Sequence, residues 1–252
     1  MTNSSHSLLE NINLSIAVLT YGSSFDVFRH RISPCISSLV DSRFPGQIVI
    51  VDDGSRDRLF NKHLDDLGES GPPITLLRRP SRGGVARAKN TCLRALAESG
   101  FDFGFIAEDD VLFTRDWWIP YYEAYKATGY HHFNWSFRQP YQAIKINGHE
   151  VLSTERLHGC LMTVTPTIVR NVGGFPILRH PWGHEHTNWT RRIIAANLAP
   201  GFCDIRERFR VRMHPERTDK YTAFSIEKKI QFAEENAEEA AILEPIYRPL
   251  VE

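Results

Sequence analysis

Residues 108 to 110 read Glu-Asp-Asp, at the end of the apolar run "GFIA". Three adjacent carboxylates repel one another, so something cationic must compensate them. A hard divalent ion, Mn²⁺ or Mg²⁺, does so through oxygen ligands, often only one or two of them from protein. A solvated acidic turn is the plain alternative. A second acidic pair, Asp52-Asp53, ends the run "IVIV" before Gly54-Ser55. A carboxylate there suits a base imide or a ribose, although an Asp-Gly turn explains the dipeptide by itself. Arg79, Arg82, Arg87 and Lys89 surround Gly83-Gly84 where a helical pattern opens. Backbone amides at a helix N-terminus, together with guanidinium groups, suit an anionic ligand. Later, "WGHEH" (182–186) carries Glu185 as its single carboxylate, and His214 follows in "RMHPE". A carboxylate or an imidazole within reach of a hydroxyl can take its proton during attack.

These residues need a frame. "NLSIAVLT" (13–20) and "IVIVDD" (48–53) are short β-branched runs of the buried parallel type. "ITLLRR" (74–79) and "GFIAEDDVLF" (104–113) predict further strands. Phe25, Phe28, Ile32, Ile36 and Leu39 recur at helical spacing, with Pro34 predicting a kink or split. "GGVARAKNTCLRALAES" predicts a second helix. The alternation gives an α/β class, a mostly parallel sheet with helices on both faces. Ligands lie at the carboxyl ends of such strands.

In the second half, "YHHFNWSF" (130–137) and "YQAIKI" (141–146) predict antiparallel strands joined through Pro140. "HGCLMTVTP" predicts a strand ended by Pro166 at the first turn of a helix. "HTNWTRRIIAANL" predicts an amphipathic helix, and "RFRVRM" a late strand. "SIEKKIQFAEENAEEAAILEPIY" predicts a charged helix that is a covering element or an assembly surface. No repeat or linker interrupts the chain, which implies one domain.

Thirty Lys plus Arg against thirty Asp plus Glu leave a formal charge of zero over 252 residues. Nucleic-acid modules carry a basic excess, so that class is disfavoured. The first fifteen residues lack a basic stretch followed by an apolar one, and no apolar run approaches the roughly 18 to 20 residues that span a bilayer. Cys35, Cys92, Cys160 and Cys203 are scattered in apolar surroundings without a CxxC pair. They predict reduced core thiols in a cytoplasmic protein, and the sequons at Asn134 and Asn188 then count as chance.

In order, "SIAVLTYG", "IVIVDDGSRD", "GGVARAKN" and "FIAEDDVLF" resemble the nucleotide-sugar half of inverting family 2 glycosyltransferases of the GT-A fold. Glu-Asp-Asp stands where that family usually has Asp-x-Asp, and looks more like the version in N-acetylglucosaminyltransferases. "LHGCLMTVTPTIVRNVGGFPILRHPWGHEHTNWTRRI" is similar to the family's glycine-rich strand, its GGF turn and its Trp-Gly-x-Glu-Asp stretch. "FRVRMHPERTDK" resembles the end of β-1,4-galactosyltransferase-type domains, where a late His completes the metal site.

The resemblance implies a GT-A fold, with a mostly parallel central sheet flanked by helices and a smaller antiparallel acceptor-side sheet. Residues 13–112 form its nucleotide-sugar half, 113–220 its acceptor half and 221–252 a helical extension. It implies a nucleotide-diphospho-sugar donor, UDP-linked, a glycan or glycolipid acceptor, and a Mn²⁺ or Mg²⁺ cofactor. Thr20, Asp53, Arg82, Arg87 and Asp109 are its donor-binding positions, Asp110 and His214 its metal ligands, and Trp182 and Gly183 its acceptor contacts. His186 stands where the family carries its basic Asp. Glu185 is therefore the first candidate base and His186 the second. The C-terminal helix offers an oligomer contact, and peripheral association with the inner face of a membrane is compatible with the rest.

Two other classes fit parts of the chain. A non-catalytic sugar-nucleotide or glycan-binding module keeps the pockets without an effective base. A zinc hydrolase draws ligands from His180, His184, His186 and His214, but leaves 108–110 and the Asp52-Asp53 end unexplained. A nicotinamide dehydrogenase is disfavoured because no G-x-G-x-x-G follows the first strand. Trp117, Trp118 and Trp189 read as core, His131 and His132 as satisfied histidines, and Arg191 and Arg192 as solvated or paired with a carboxylate.

Overall fold

The β-branched runs become the centre of the molecule. The computed structural model describes residues 12–70, 74–135, 142–154, 158–214 and 224–244. β1 (Leu14–Thr20), buried along its whole length, is followed by α1 (Phe25–Val27), a π-helical turn over Phe28–Ile32, and α2 (Ser33–Asp41). The expected break at Pro34 takes that form. Proline supplies no amide to continue the regular ladder, and the chain widens by one residue just ahead of it.

β2 (Gln47–Asp52), α3 (Arg58–Ser70), β3 (Ile74–Arg78), α4 (Val85–Glu98) and β4 (Phe103–Glu108) complete the first half. After them come β5 (Val111–Phe113), α5 (Ile119–Thr128), β6 (Gln142–Ile146), β7 (His149–Ser153) and β8 (Leu161–Val164). The chain ends through α6 (Pro166–Val172), α7 (Glu185–Ala195), β9 (Cys203–Ile205), a 3₁₀ turn over Arg208–Arg210, β10 (Val211–Met213) and α8 (Ile226–Leu243).

The main sheet runs β3-β2-β1-β4-β8, parallel except for β8, which lies antiparallel on β4. One face packs aromatics of β4, of α5 and of the turn before it, including Phe103, Phe105, Trp117 and Tyr121. The other face packs α4, α6 and α7 through Cys92, Leu96, Ile168, Phe175 and Trp189. β5 and β10 form a small antiparallel ribbon, and β6, β7 and β9 a three-stranded antiparallel sheet.

Several expectations are corrected. β6 pairs with β7 through Asn147-Gly148, both at positive φ, rather than with 130–137. Asn-Gly between two strands is the strongest short hairpin signal, and it identifies this turn. Residues 132–135 run alongside β8 and β9 with a single bridge, Asn134 to Met162, instead of forming a strand. Residues 136–137, Pro140 and Tyr141 of that expected pair lie outside the described residues. α3 and α5 were not expected. Arg192 is not solvated. It is buried and donates to the carbonyls of Val172 and Gly174, closing the C-terminus of α6.

Candidate active site

Parallel register brings three strand ends to one edge. Thr20 lies opposite Asp52, and Leu19 opposite Glu108. The tight turn from β4 to β5 then presents Glu108, Asp109 and Asp110 beside Thr20.

Among the described residues, Arg31 and Lys89 stand as cations against this acidic turn. Asp109 turns inward, 3 % exposed, where it accepts a hydrogen bond from Thr20 Oγ1 at 2.7 Å and pairs with Arg31 Nη2. Burial pushes its carboxyl up, against the opposing pull of Arg31 and Thr20. Arg31 also stands 3.9 Å from Asp110 Oδ2. Its guanidinium is held charged because Asp109 and Asp110 outweigh the penalty of burial. Arg31 comes from the π-helical turn, and no sequence signal marked it.

Glu108 and Asp110 are the pair that act together. Their carboxylate oxygens and Cys160 Sγ all lie within 4.8 Å of one another. That donor set fits a divalent ion with two oxygen ligands and one sulfur. Cys160 is buried as expected, but beside carboxylates rather than in a purely apolar setting. Pairing of β5 with β10 brings His214 alongside, its backbone amide donating to the Asp110 carbonyl at 2.9 Å.

Just past β2, Asp53 is 4 % exposed and accepts from the amides of Gly83 and Gly84 at 2.9 and 2.8 Å. Arg79 Nε lies 2.9 Å away. Burial raises the Asp53 carboxyl despite these partners. Asp53 thus shapes the glycine turn that opens α4. Asp52, fully buried, holds Ser55 through its Oδ1. Arg82 is exposed and sandwiched between the rings of Tyr21 and Phe224, at 4.3 and 4.7 Å. Arg87 is exposed on the first turn of α4.

Lys89 is the second cation, and it is not a surface anion binder. It is fully buried, with Nζ 3.1 Å from Glu108 Oε1, 3.3 Å from Glu185 Oε1 and 3.1 Å from the Gly159 carbonyl. Glu185 opens α7 and is 4 % exposed; its Oε2 accepts from the Gly183 amide at 3.0 Å. Burial alone would raise this carboxyl, but Lys89 and His186 outweigh burial and hold it well below the usual carboxylate range. Such a group is a weak base at neutral pH.

His186 Nδ1 lies 3.2 Å from Glu185 Oε1, and the imidazole is partly exposed. With the carboxylate accepting the hydrogen bond from Nδ1–H, Nε2 is the nitrogen left free to take a proton. Gly159 is pinched between the two: a Cβ there would meet Lys89 Nζ at 2.7 Å and His186 Cγ at 3.0 Å. Trp182 is 36 % exposed beside this turn, whereas Trp189, Trp117 and Trp118 are buried in the core. His132 is buried between Thr163 O and Thr190 Oγ1, and His131 meets Thr165 Oγ1.

Among the described residues, His180, His184, His186 and His214 do not gather into a metal-ligand group. His180 pairs instead with Glu235. No helix among the described residues is long and apolar enough to cross a membrane.

Glycosyl transferase family 2 is the family model that matches the chain, over residues 15–175. An uncharacterised glycosyltransferase of Acanthamoeba polyphaga mimivirus is 31% identical over 204 residues, spanning 77% of this chain and 78% of that one. The fold is shared with a Pyrobaculum calidifontis mannosyltransferase solved with GDP-Man and Mn²⁺, at TM-score 0.57 and 18% identity, over 78% of this chain and 55% of that one. It is shared too with GalNAc-T7 solved with UDP, GalNAc and Mn²⁺, at TM-score 0.64 and 11% identity, over 90% and 48%. S. aureus TarS matches at TM-score 0.56 and 15% identity, over 77% and 58%. The chain therefore spans about half the length of these solved structures.

Proposed function

The chain belongs to glycosyl transferase family 2, a GT-A-fold glycosyltransferase, and from that premise we propose a metal-dependent, inverting transfer from a nucleotide-diphospho-sugar to a hydroxyl of a glycan or glycolipid. One observation carries the reading. A single buried ammonium, Lys89, touches both Glu108 of the strand-end triplet and Glu185 of the acceptor turn, so the metal and acceptor sides adjoin.

Glu108, Asp110 and Cys160 are the residues that would hold a divalent ion, with His214 next to Asp110. A bound ion supplies Lewis-acid neutralisation of the charge that builds on the departing diphosphate. Arg82 and Arg87 give the nucleotide two exposed guanidinium partners at the mouth of the glycine turn. The acceptor oxygen attacks the anomeric carbon as the bond from that carbon to the phosphate oxygen breaks. The hydroxyl proton passes to His186, and the nucleoside diphosphate leaves. Glu185 holds the imidazole in the productive tautomer and offsets the positive charge it gains. This reading prefers His186 to Glu185 as the base, because Glu185 is buried and already tied to Lys89 and the Gly183 amide. Trp182 offers a partly exposed ring for the apolar face of an acceptor sugar.

UDP and Mn²⁺ are the first donor base and cofactor to test, since structural neighbours were solved with them. The test is a thermal-shift screen of nucleotide sugars with Mn²⁺ and Mg²⁺, followed by product analysis by NMR. A donor present at a hundredfold its dissociation constant should add about 2.7 kcal/mol of stability. Asp110→Ala should lose that metal-dependent gain along with transfer. A wild-type protein that binds donor but leaves it intact with every acceptor offered would favour a binding module instead.

A further inference from the structure

Asn236 lies midway along α8 and is fully buried. Its Oδ1 accepts from the His180 amide at 3.0 Å. Its Nδ2 donates to the carbonyls of His180, Trp182 and Gly183 at 3.2, 3.0 and 3.1 Å. One side chain thus reaches four backbone groups of the turn that leads into Glu185, with its two N–H groups shared among the three carbonyls.

That turn has no regular structure to fix it. Gly183 and His184 both have positive φ, and a Cβ at Gly183 would lie 3.3 Å from Ala233 Cα of α8. Phe232 and Ala240 extend the buried stripe of α8 on either side of Asn236. Phe232 stacks on the His180 ring at 4.5 Å, and the Ala240 carbonyl accepts from Asn188 of α7 at 2.7 Å. The turn then reaches both halves of the candidate site. Its Pro181 carbonyl accepts from the Val85 amide at 2.9 Å, at the start of α4, and its Gly183 amide donates to Glu185.

We infer that Asn236 is a positioning residue of the transfer reaction: it ties α8 to the 180–183 turn and so keeps the Glu185–His186 pair in register with the glycine turn on the donor side. The inference rests on the function proposed above. α8 is accordingly part of the catalytic unit and not merely a cover over it.

The experiment compares Asn236→Ala and Asn236→Asp with wild type. Asp keeps an acceptor for the His180 amide but sets oxygen against three carbonyls. In both variants kcat for transfer should fall about 10²-fold, as expected when reacting groups are misplaced by an ångström. Donor affinity, read by isothermal titration calorimetry with Mn²⁺ and the donor, should stay unchanged. Amide exchange should accelerate at Val85 and Gly183 while the amides of β1 and β4 remain protected. Wild-type transfer rates in either variant would overturn the inference. So would exchange that rises throughout the chain together with lost donor binding, which marks a role in global stability alone. Should wild type bind and transfer nothing, the functional proposal fails by itself. Unchanged exchange at Val85 and Gly183 would still reject the role of Asn236.

Discussion

Lys89 Nζ stands 3.3 Å from Glu185 Oε1, with both side chains out of solvent. A residue of α4, close to the Gly83-Gly84 turn, is thereby fastened to the first residue of α7. Each charge holds the other: Glu108 and Glu185 keep the buried ammonium protonated against desolvation, and Lys89 keeps Glu185 ionised.

Removing the cation leaves a buried carboxylate uncompensated. Lys89→Met should cost about 3–5 kcal/mol, the range for breaking one side of a buried pair. Adding Glu185→Gln should restore part of that loss. Urea unfolding of the two variants measures it. Additive losses in the double variant would show that the two groups do not depend on each other.

Arg31 has the opposite relation to a metal, because both act on the same acidic turn. Arg31→Ala should lower metal-free stability by about 2 kcal/mol, below the full buried-pair range because Arg31 is partly exposed. It should also increase the stabilisation that Mn²⁺ provides, since the ion no longer competes with a fixed guanidinium. Melting temperatures with and without Mn²⁺ decide this. Equal metal-induced shifts in wild type and variant would place the ion elsewhere.

The proposed base, His186, can be separated by mutation from Glu185, the partner proposed to orient it. His186→Ala should lower kcat by about 10² to 10⁴, the usual contribution of a general base, with donor binding retained. A His186→Ala enzyme with wild-type rate would return the role to Glu185.

The sequence reached the frame better than the contacts. Strands β1, β2 and β4 were legible because each is buried on both faces and reads as an unbroken apolar run. Asn147-Gly148 announces the hairpin of β6 and β7, whereas Pro140 points to a different pairing of the same segment. Asp53, Asp110, Glu185 and His186 could be singled out by chemistry and order along the chain. Arg31, Cys160 and Asn236 could not. Each acts through partners 50 or more residues away in sequence: Arg31 with Asp109, Cys160 with Glu108, and Asn236 with His180. The charge of Lys89 beside Gly83-Gly84 suggests an anionic ligand, but its partners are Glu108 and Glu185. A helical pattern gives its spacing, and only packing reveals that its end lies between two carboxylates.

His132 gives the fold a pH dependence of known sign. Burial lowers its imidazole from 6.5 to about 4, and its two nitrogens meet Thr163 O and Thr190 Oγ1. Unfolded, the same side chain protonates below about 6.5. Its contribution is therefore complete above that pH, declines as pH falls, and is exhausted near 4, where the folded form also takes a proton. The difference amounts to about 3 kcal/mol, from about 1.4 kcal/mol per pH unit. His131 and His184 are lowered too and add in the same direction. Comparing wild type with His132→Gln by urea unfolding at pH 7, 5.5 and 4 isolates the share of this residue. The variant should lose less stability across that range than wild type. Parallel slopes would mean that His132 takes its proton over the same pH range in the folded and unfolded chain.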